Sequence, residues 1–399
     1  MPRIRTLVLV LAGGAGGRLE LLTRERAKPA VPYAGTHRLI DFPLSNCLNS
    51  GISDVWVSQQ FNPVSLSDHL ANGRPWDLDK TTGGLLLLQP RQGHDDRVGF
   101  ASGTADTLWR NAPLVRQFAP DALVVVSADA VYTLDYAALV EEHLDSDADV
   151  TMTTTEVTPE DAGRYGVVQA GGPGKVSDYV YKPGEPQGNL VSNEVFVFRP
   201  APLLDTLEEL AESAGEEGLQ DLGHALLPRL VGAGGAREHR FEGYWRDVGT
   251  VDAYWSSHRD LLAGIPPVDL DDPAWPVLTR AAAHRAPAWV GRGAQVDESL
   301  LAPAARVAGT VERSVVGRGA VVEAGAVVRD SVLLPGSVVR SGATVERAVL
   351  DDAVEVSSEA RVGSGADDAT ITLVGLRSVI PKGAEVAPGA RWPDNLPAG

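Results

Sequence analysis

One cysteine, Cys47, stands among 399 residues. A lone thiol closes no intrachain disulfide and cannot supply a cysteine-rich zinc site, so a reducing, cytoplasmic setting is expected. Positive charge is also short: 35 Lys and Arg face 53 Asp and Glu, a formal net charge of −18. Nucleic-acid backbones are gripped by clustered cations, so no nucleic-acid partner is expected. A small basic pocket for a phosphorylated metabolite is still compatible with that total. No apolar run approaches the roughly 18 residues of a membrane helix, and no membrane partner is expected. The opening Pro2-Arg3-Ile4-Arg5 before Leu7–Leu11 has the outline of a signal peptide. That run is short and leads into glycines rather than a cleavage site, so it is expected to be a buried first strand.

What is present is ordinary for a folded protein: 44% hydrophobic and 22% charged residues. At roughly 150 residues per domain, the length fits two or three domains. Up to about residue 260, short β-rich runs (Leu7–Leu11, Val55–Ser58, Leu123–Ser127, Val150–Thr154) alternate with helix-like segments such as Thr107–Phe118 and Leu134–Leu144. That alternation predicts an α/β fold with a Rossmann-like, mostly parallel sheet, its ligands beyond the carboxyl ends of the strands. Gly264-Ile265-Pro266-Pro267 and Asp271-Asp272-Pro273-Ala274-Trp275-Pro276 cannot continue a helix. Residues 1–263 are therefore expected to form the first domain, 264–284 a linker and 285–399 the second.

The second domain has a period of six. Val315, Val321, Val327, Leu333, Val339 and Val345 recur at that spacing, with Val316, Val322, Val328 and Leu334 directly behind. This period fits neither a helix nor an alternating strand. It predicts a parallel β-helix of hexapeptide repeats, each apolar residue pointing inward, with the repeat fraying after Asp351. Such coils occur with many activities, so this domain names none.

The chemistry is concentrated at Leu11-Ala12-Gly13-Gly14-Ala15-Gly16-Gly17-Arg18-Leu19, followed by Arg26-Ala27-Lys28-Pro29-Ala30. Glycines after a strand let backbone N–H groups approach phosphate oxygens. A dinucleotide fingerprint would need a glycine at Leu19, and a Walker A loop would need Gly-Lys-Ser/Thr, so neither generic motif applies. With Arg18 and Lys28 placed to neutralise phosphates, a nucleotide site is the better reading than a structural turn.

These stretches, with Arg38-Leu39-Ile40-Asp41-Phe42, Leu44–Gly51, Gly103-Thr104-Ala105-Asp106 and Tyr244–Thr250, resemble the ADP-glucose pyrophosphorylase (glucose-1-phosphate adenylyltransferase) family of sugar-nucleotide pyrophosphorylases. The resemblance covers nearly the whole chain and implies a nucleotidyltransferase domain followed by a left-handed β-helix. It implies that a sugar-1-phosphate oxygen attacks the α-phosphate of a nucleoside triphosphate and pyrophosphate leaves, with positioning and charge neutralisation supplying most of the catalysis. By the same resemblance Arg18, Lys28, Asp129 and Asp247 are catalytic, and Asp129 and Asp247 hold Mg²⁺. Leu11, Ala12, Gly13, Gly14, Gly16, Gln60, Gly103 and Thr104 are expected at the nucleotide. Gly166, Tyr181, Lys182, Ser192 and Glu194 are expected at the sugar phosphate. A homotetramer is implied as well.

The chain departs from the family pattern where the sugar should lie. Ala15 replaces a usual arginine, and Ala128-Asp129-Ala130 keeps an acid but loses a histidine. Tyr181 stands for the glutamate before Lys182-Pro183, and Ser192-Asn193-Glu194 for Ser-Met-Gly. A pocket built around particular hydroxyls discriminates against rings that leave its polar groups unpaired. Transfer from ATP to glucose-1-phosphate is the first expectation. The alternative is another sugar or a cyclitol 1-phosphate of secondary metabolism, with GTP as a possible donor. A non-catalytic sensor of sugar nucleotides is the third reading, against which the retained carboxylates weigh.

Overall fold

The computed structural model describes residues 4–90, 99–214, 218–280 and 286–394; the expected junction at 284–285, Pro2 and Arg3 lie outside them. Four strands, β1 (Thr6–Ala12), β2 (Asp54–Gln59), β3 (Gly84–Leu88) and β4 (Ala122–Ser127), form a parallel core in the order β4-β1-β2-β3. Their valines and leucines suit strands covered on both faces, and Leu7 to Val10 are fully buried. Five more strands widen the sheet to nine: β5 (Val150–Glu156), β6 (Gly166–Ala170), β7 (Val176–Tyr181), β8 (Leu190–Phe198) and β9 (Ala236–Arg240). β8 runs antiparallel to β4, β5 and β6, so the parallel core carries an antiparallel flank.

Helices cover both faces. α1 (Asp41–Asn49), α2 (Pro63–Leu70) and α4 (Tyr136–Leu144) pack Leu44, Leu66 and Leu139 against Val8, Val10 and Val124. On the opposite face α3 (Thr104–Phe118), α5 (Pro200–Ser213) and α6 (Leu226–Gly232) meet Leu7, Leu9 and Val125. α4 starts at Tyr136 rather than Leu134 because the Asp135 carboxylate accepts from the N–H groups of Ala137 and Ala138, capping the helix there. α7 (Val251–Asp260) follows, capped by Thr250.

Residues 264–280 have no helix or strand, yet they are strapped to the first domain. The Trp275 indole donates to Asn46, the Trp76 indole donates to the carbonyl of Leu278, and Asn49 donates to the carbonyl of Pro276. From Trp289 to Trp392 the chain winds through three parallel six-stranded sheets, the sides of a β-helix.

The hexad phase differs from the simple six-residue expectation. Val316, Leu333 and Leu350 stack in register, as do Val328 and Val345, so a central coil takes 17 residues. The inward residues are Val316, Val322, Val328, Leu333, Val339 and Val345, all fully buried, while Val321 and Val327 are half-buried. One corner per coil is a residue short, which shifts the column by one. Past Asp351 the spacing becomes irregular, as expected, but the coil continues. After a longer loop, Ile380 stacks on Val356 and Val386 on Val362.

The two halves share one apolar cluster. Leu21, Leu22, Tyr33, Phe42 and Trp255 pack with Val315, Val332, Leu334, Ile371 and Leu373. The β-helix therefore lies against the segment that follows the glycine-rich turn.

Candidate active site

At the carboxyl ends of β1, β2 and β4 lies a cavity of about 390 Å³. This is where the twist and splay of a parallel sheet leave a crevice. A short antiparallel pair, Ala130–Tyr132 with Trp245–Asp247, sets Asp247 opposite Ala130 and thereby beside Asp129. Lys28 lies between these two carboxylates: its Nζ donates to Asp129 at 2.6 Å and is 3.8 Å from Asp247. Arg18, Lys28, Asp129 and Asp247, which span 229 residues of chain from first to last, thus line one cavity together with Leu11, Gly13, Gly14, Gln60, Gly103, Thr104, Gly166, Tyr181, Lys182, Ser192 and Glu194.

Two expected residues lie elsewhere. Ala12 is buried among the core side chains of the α1 face. Gly16 turns the chain at φ 68°, and a Cβ there would come within 2.9 Å of Thr23, so its contribution is to the turn. Gly103 and Thr104 do reach the cavity, but the first turn of α3 has other partners. The Asp221 carboxylate accepts from the N–H of Thr104, and the carbonyl of Gln220 accepts from those of Ala105 and Asp106. The helix start is therefore not open for a phosphate.

The charges influence one another strongly. Burial disfavours the Asp129 carboxylate, but the Lys28 ammonium, the Ser127 hydroxyl and Arg18 outweigh it and hold its pKa below the ordinary value. At Asp247 burial prevails, aided by Asp129 and opposed by Lys28 and Arg164, and the pKa is raised. Burial also works against the Lys28 ammonium, yet the two aspartates keep it firmly protonated. Glu194 is exposed to the cavity, whose walls surround it on the protein side. Burial and the charges of Asp129 and Asp247 push its pKa up to about 7.

Lys182 and Glu194 both adopt left-handed backbone angles, φ 46° and 60°. Such conformations are costly for residues with a Cβ, about 1–3 kcal/mol each, and persist where surrounding structure fixes them. Lys182 directly follows β7, Glu194 lies at the irregularity in the middle of β8, and both residues line the cavity.

Several wall residues went unnoticed in the sequence. Arg164 stands 3.7 Å from Asp247 and ion-pairs with Asp161 at 3.0 Å. Asp221 accepts from the Tyr181 hydroxyl at 3.0 Å, tying the Tyr181 side of the cavity to Thr104. Buried donors of Arg164, Asn193 and Trp245 have no hydrogen-bond acceptor among the described residues. Buried polar groups are normally paired, so these donors suit an oxygen-rich ligand. Asp129 and Asp247 offer hard carboxylate oxygens around a position already favourable to a cation, the Lys28 Nζ. They fit a divalent ion of the kind held by one or two carboxylates plus substrate phosphates. Among the described residues no three His, Cys, Asp or Glu side chains form a complete metal cage.

Residues 7–264 match the nucleotidyl transferase family, and residues 282–374 match the GlmU-like C-terminal hexapeptide family. A glucose-1-phosphate adenylyltransferase of Thermomicrobium roseum is 40% identical, over 95% of this chain and 91% of its own length. The protein of that name from Thermotoga maritima is 39% identical over 94% and 91%, and that from Acetivibrio thermocellus 34% over 97% and 92%.

Proposed function

The chain belongs to the nucleotidyl transferase family, within the group of glucose-1-phosphate adenylyltransferases, and on that premise we propose that it joins glucose-1-phosphate to ATP with release of pyrophosphate. The observation carrying this reading is the meeting of Arg18, Lys28 and Lys182 with Asp129 and Asp247 in one cavity. Phosphoryl chemistry of this kind needs no covalent enzyme intermediate; it needs anions held in line and their charge neutralised.

The proposed roles follow from position. Arg18 faces the triphosphate from the glycine-rich turn, where Leu11, Gly13 and Gly14 leave backbone close to the ligand. Gln60 takes the base edge. Lys182 neutralises the phosphate of the acceptor, and Ser192, Gly166, Tyr181 and Glu194 surround its ring. Asp129 and Asp247 hold Mg²⁺, which when bound stabilises charge on the phosphate oxygens. Lys28 keeps both carboxylates ionised and in place until the metal and nucleotide arrive. Division of labour accompanies this: residues 1–263 carry catalysis, 264–284 connect, and 285–399 serve assembly, which we propose to be a cytoplasmic homotetramer.

One observation favours a different acceptor. The Tyr181 hydroxyl gives its proton to Asp221, so its oxygen meets the ring as an acceptor, while the Glu194 carboxylate opens onto the cavity. A ring other than glucose, including a cyclitol, would suit that arrangement if its hydroxyls donate to both. A pyrophosphate-release panel decides between them, pairing ATP, GTP, UTP and dTTP with several sugar and cyclitol 1-phosphates in Mg²⁺. Fastest release from ATP and glucose-1-phosphate is expected. A far better alternative acceptor would transfer the proposal to that ring. Binding without release for every pair would leave a sensor in place of an enzyme.

A further inference from the structure

The segment carrying Arg18 contains a second, stranger residue two positions on. Glu20 sits at φ 53°, ψ −119°, in the middle of the helical turns Gly17–Thr23. Glycine accepts that conformation, but a side-chain-bearing residue adopts it only where its surroundings impose it. The surroundings are the end of the β-helix. Arg391, on the last strand, is 4% exposed. Its Nε and Nη2 form a two-pronged pair with the two Glu20 carboxylate oxygens, the Nη2 contact being 3.0 Å. Its Nη1 donates to the carbonyls of Ile371 at 2.7 Å and Gly389 at 3.0 Å. The guanidinium is thereby fixed in the β-helix on one side and grips the loop on the other, a geometry a lysine could not reproduce.

The loop is held at its other corners too. The Thr23 hydroxyl donates to the carbonyl of Gly16 at 2.9 Å, closing the turn on itself. Leu21 and Leu22 are buried against Ile371 and Leu373 of the β-helix. What is left facing the cavity is Arg18, whose Nη2 would lie 3.2 Å from a Cβ placed on Gly249, next to Asp247.

We propose that Glu20 and Arg391 are a positioning pair: the final coil of the β-helix holds a strained turn so that Arg18 points at the triphosphate. The inference rests on the nucleotidyl-transfer reading for the role of Arg18, and it makes the second domain part of the alignment of the first. Neither residue touches substrate; both act through Arg18.

The test combines turnover with hydrogen exchange on the full chain. Arg391→Ala should lower turnover about 10- to 100-fold, the scale expected when a phosphate-binding group is misplaced by an ångström or so. In Arg18→Ala the further change Arg391→Ala should cost almost nothing, since the group it positions is gone. Glu20→Gly combined with Arg391→Ala should recover most of the lost turnover, because glycine takes the turn unaided. Amide exchange in residues 17–23 should quicken in Arg391→Ala while strands 306–350 stay protected. Should Arg391→Ala lose the protection of those strands, Glu20→Ala is read instead, with the same expected signs. Wild-type turnover in the single variant, or losses that multiply in the double variant, would overturn the pairing. The exchange result is independent of chemistry: if wild-type protein releases no pyrophosphate, faster exchange in 17–23 still supports the clamp, and unchanged exchange still removes it.

Discussion

Lys28 is buried between Asp129 and Asp247, and its worth depends on both being charged. Replacing either aspartate with asparagine removes an anionic oxygen while keeping shape. Asp129→Asn and Asp247→Asn should each reduce pyrophosphate release by orders of magnitude while circular dichroism still reports a folded protein. Near-normal release from either variant would refute its role. Arg18, Lys28 and Asp247 stood out because each lies in a long ordered motif, and Asp129 because it follows the apolar strand Leu123–Ser127. Arg164 and Asp221 were not. Their places depend on how β6, β7 and the segment around 220 come together, and no local pattern in the sequence marks that convergence. The same holds for the Tyr181 phenol, whose departure from the expected glutamate was visible while its bond to Asp221 was not.

At the level of elements, α3 shows why a helix start can be closed to ligands. A Cβ on Gly103 would lie 2.1 Å from the backbone of Gln220, so the segment 220–222 needs that glycine in order to seat its carbonyl on the helix. The angle φ there is −177°, so space alone sets the requirement. Gly103→Ala should therefore push that segment away, destabilising the protein by about 1–3 kcal/mol and raising KM for both substrates. A control is Gly14→Ala, where a Cβ meets nothing within 4 Å and the melting temperature should not move. The four strands and two helices named from the sequence matched to within a few residues, because apolar period and caps are local properties. The coil of the β-helix was readable in kind but not in phase. Seventeen residues per turn and the loop before Ile371 are decided by corner geometry, to which valine spacing is blind.

Taken as a whole, the molecule is joined through an interface that is part apolar and part charged. Arg26 pairs with Asp351 at 2.8 Å and lies 3.4 Å from Asp352, all against the buried face of the β-helix. Burial pushes the Asp351 pKa up to about 6, against the pull of Arg26 and with the help of Asp352. A carboxyl that holds its proton more tightly when folded weakens folding as it ionises. Stability should fall as pH rises from about 4 to 6, by up to roughly 3 kcal/mol from this group. In Asp351→Asn that slope should be missing, so the difference in melting temperature between the two proteins should change across this window and be flat above it. A difference independent of pH would show that Asp351 ionises as freely folded as unfolded. Because Leu21, Phe42 and Trp255 share one cluster with Val332 and Leu373, calorimetry should give a single transition for both halves. A chain ending at residue 280 would bare those side chains and should elute from size exclusion as aggregate, whereas a clean monomeric peak would argue that the halves fold independently.

The grip of Arg391 on Glu20 joins positions 371 residues apart. During synthesis the glycine-rich turn emerges 371 residues ahead of its anchor. At about 5–20 residues per second, on the order of 20–70 s separate them, during which the sheet can assemble but the turn has nothing to hold it. Full turnover therefore waits for the final coil, and a chain stopped just short of Arg391 would carry every catalytic residue with Arg18 alone out of line.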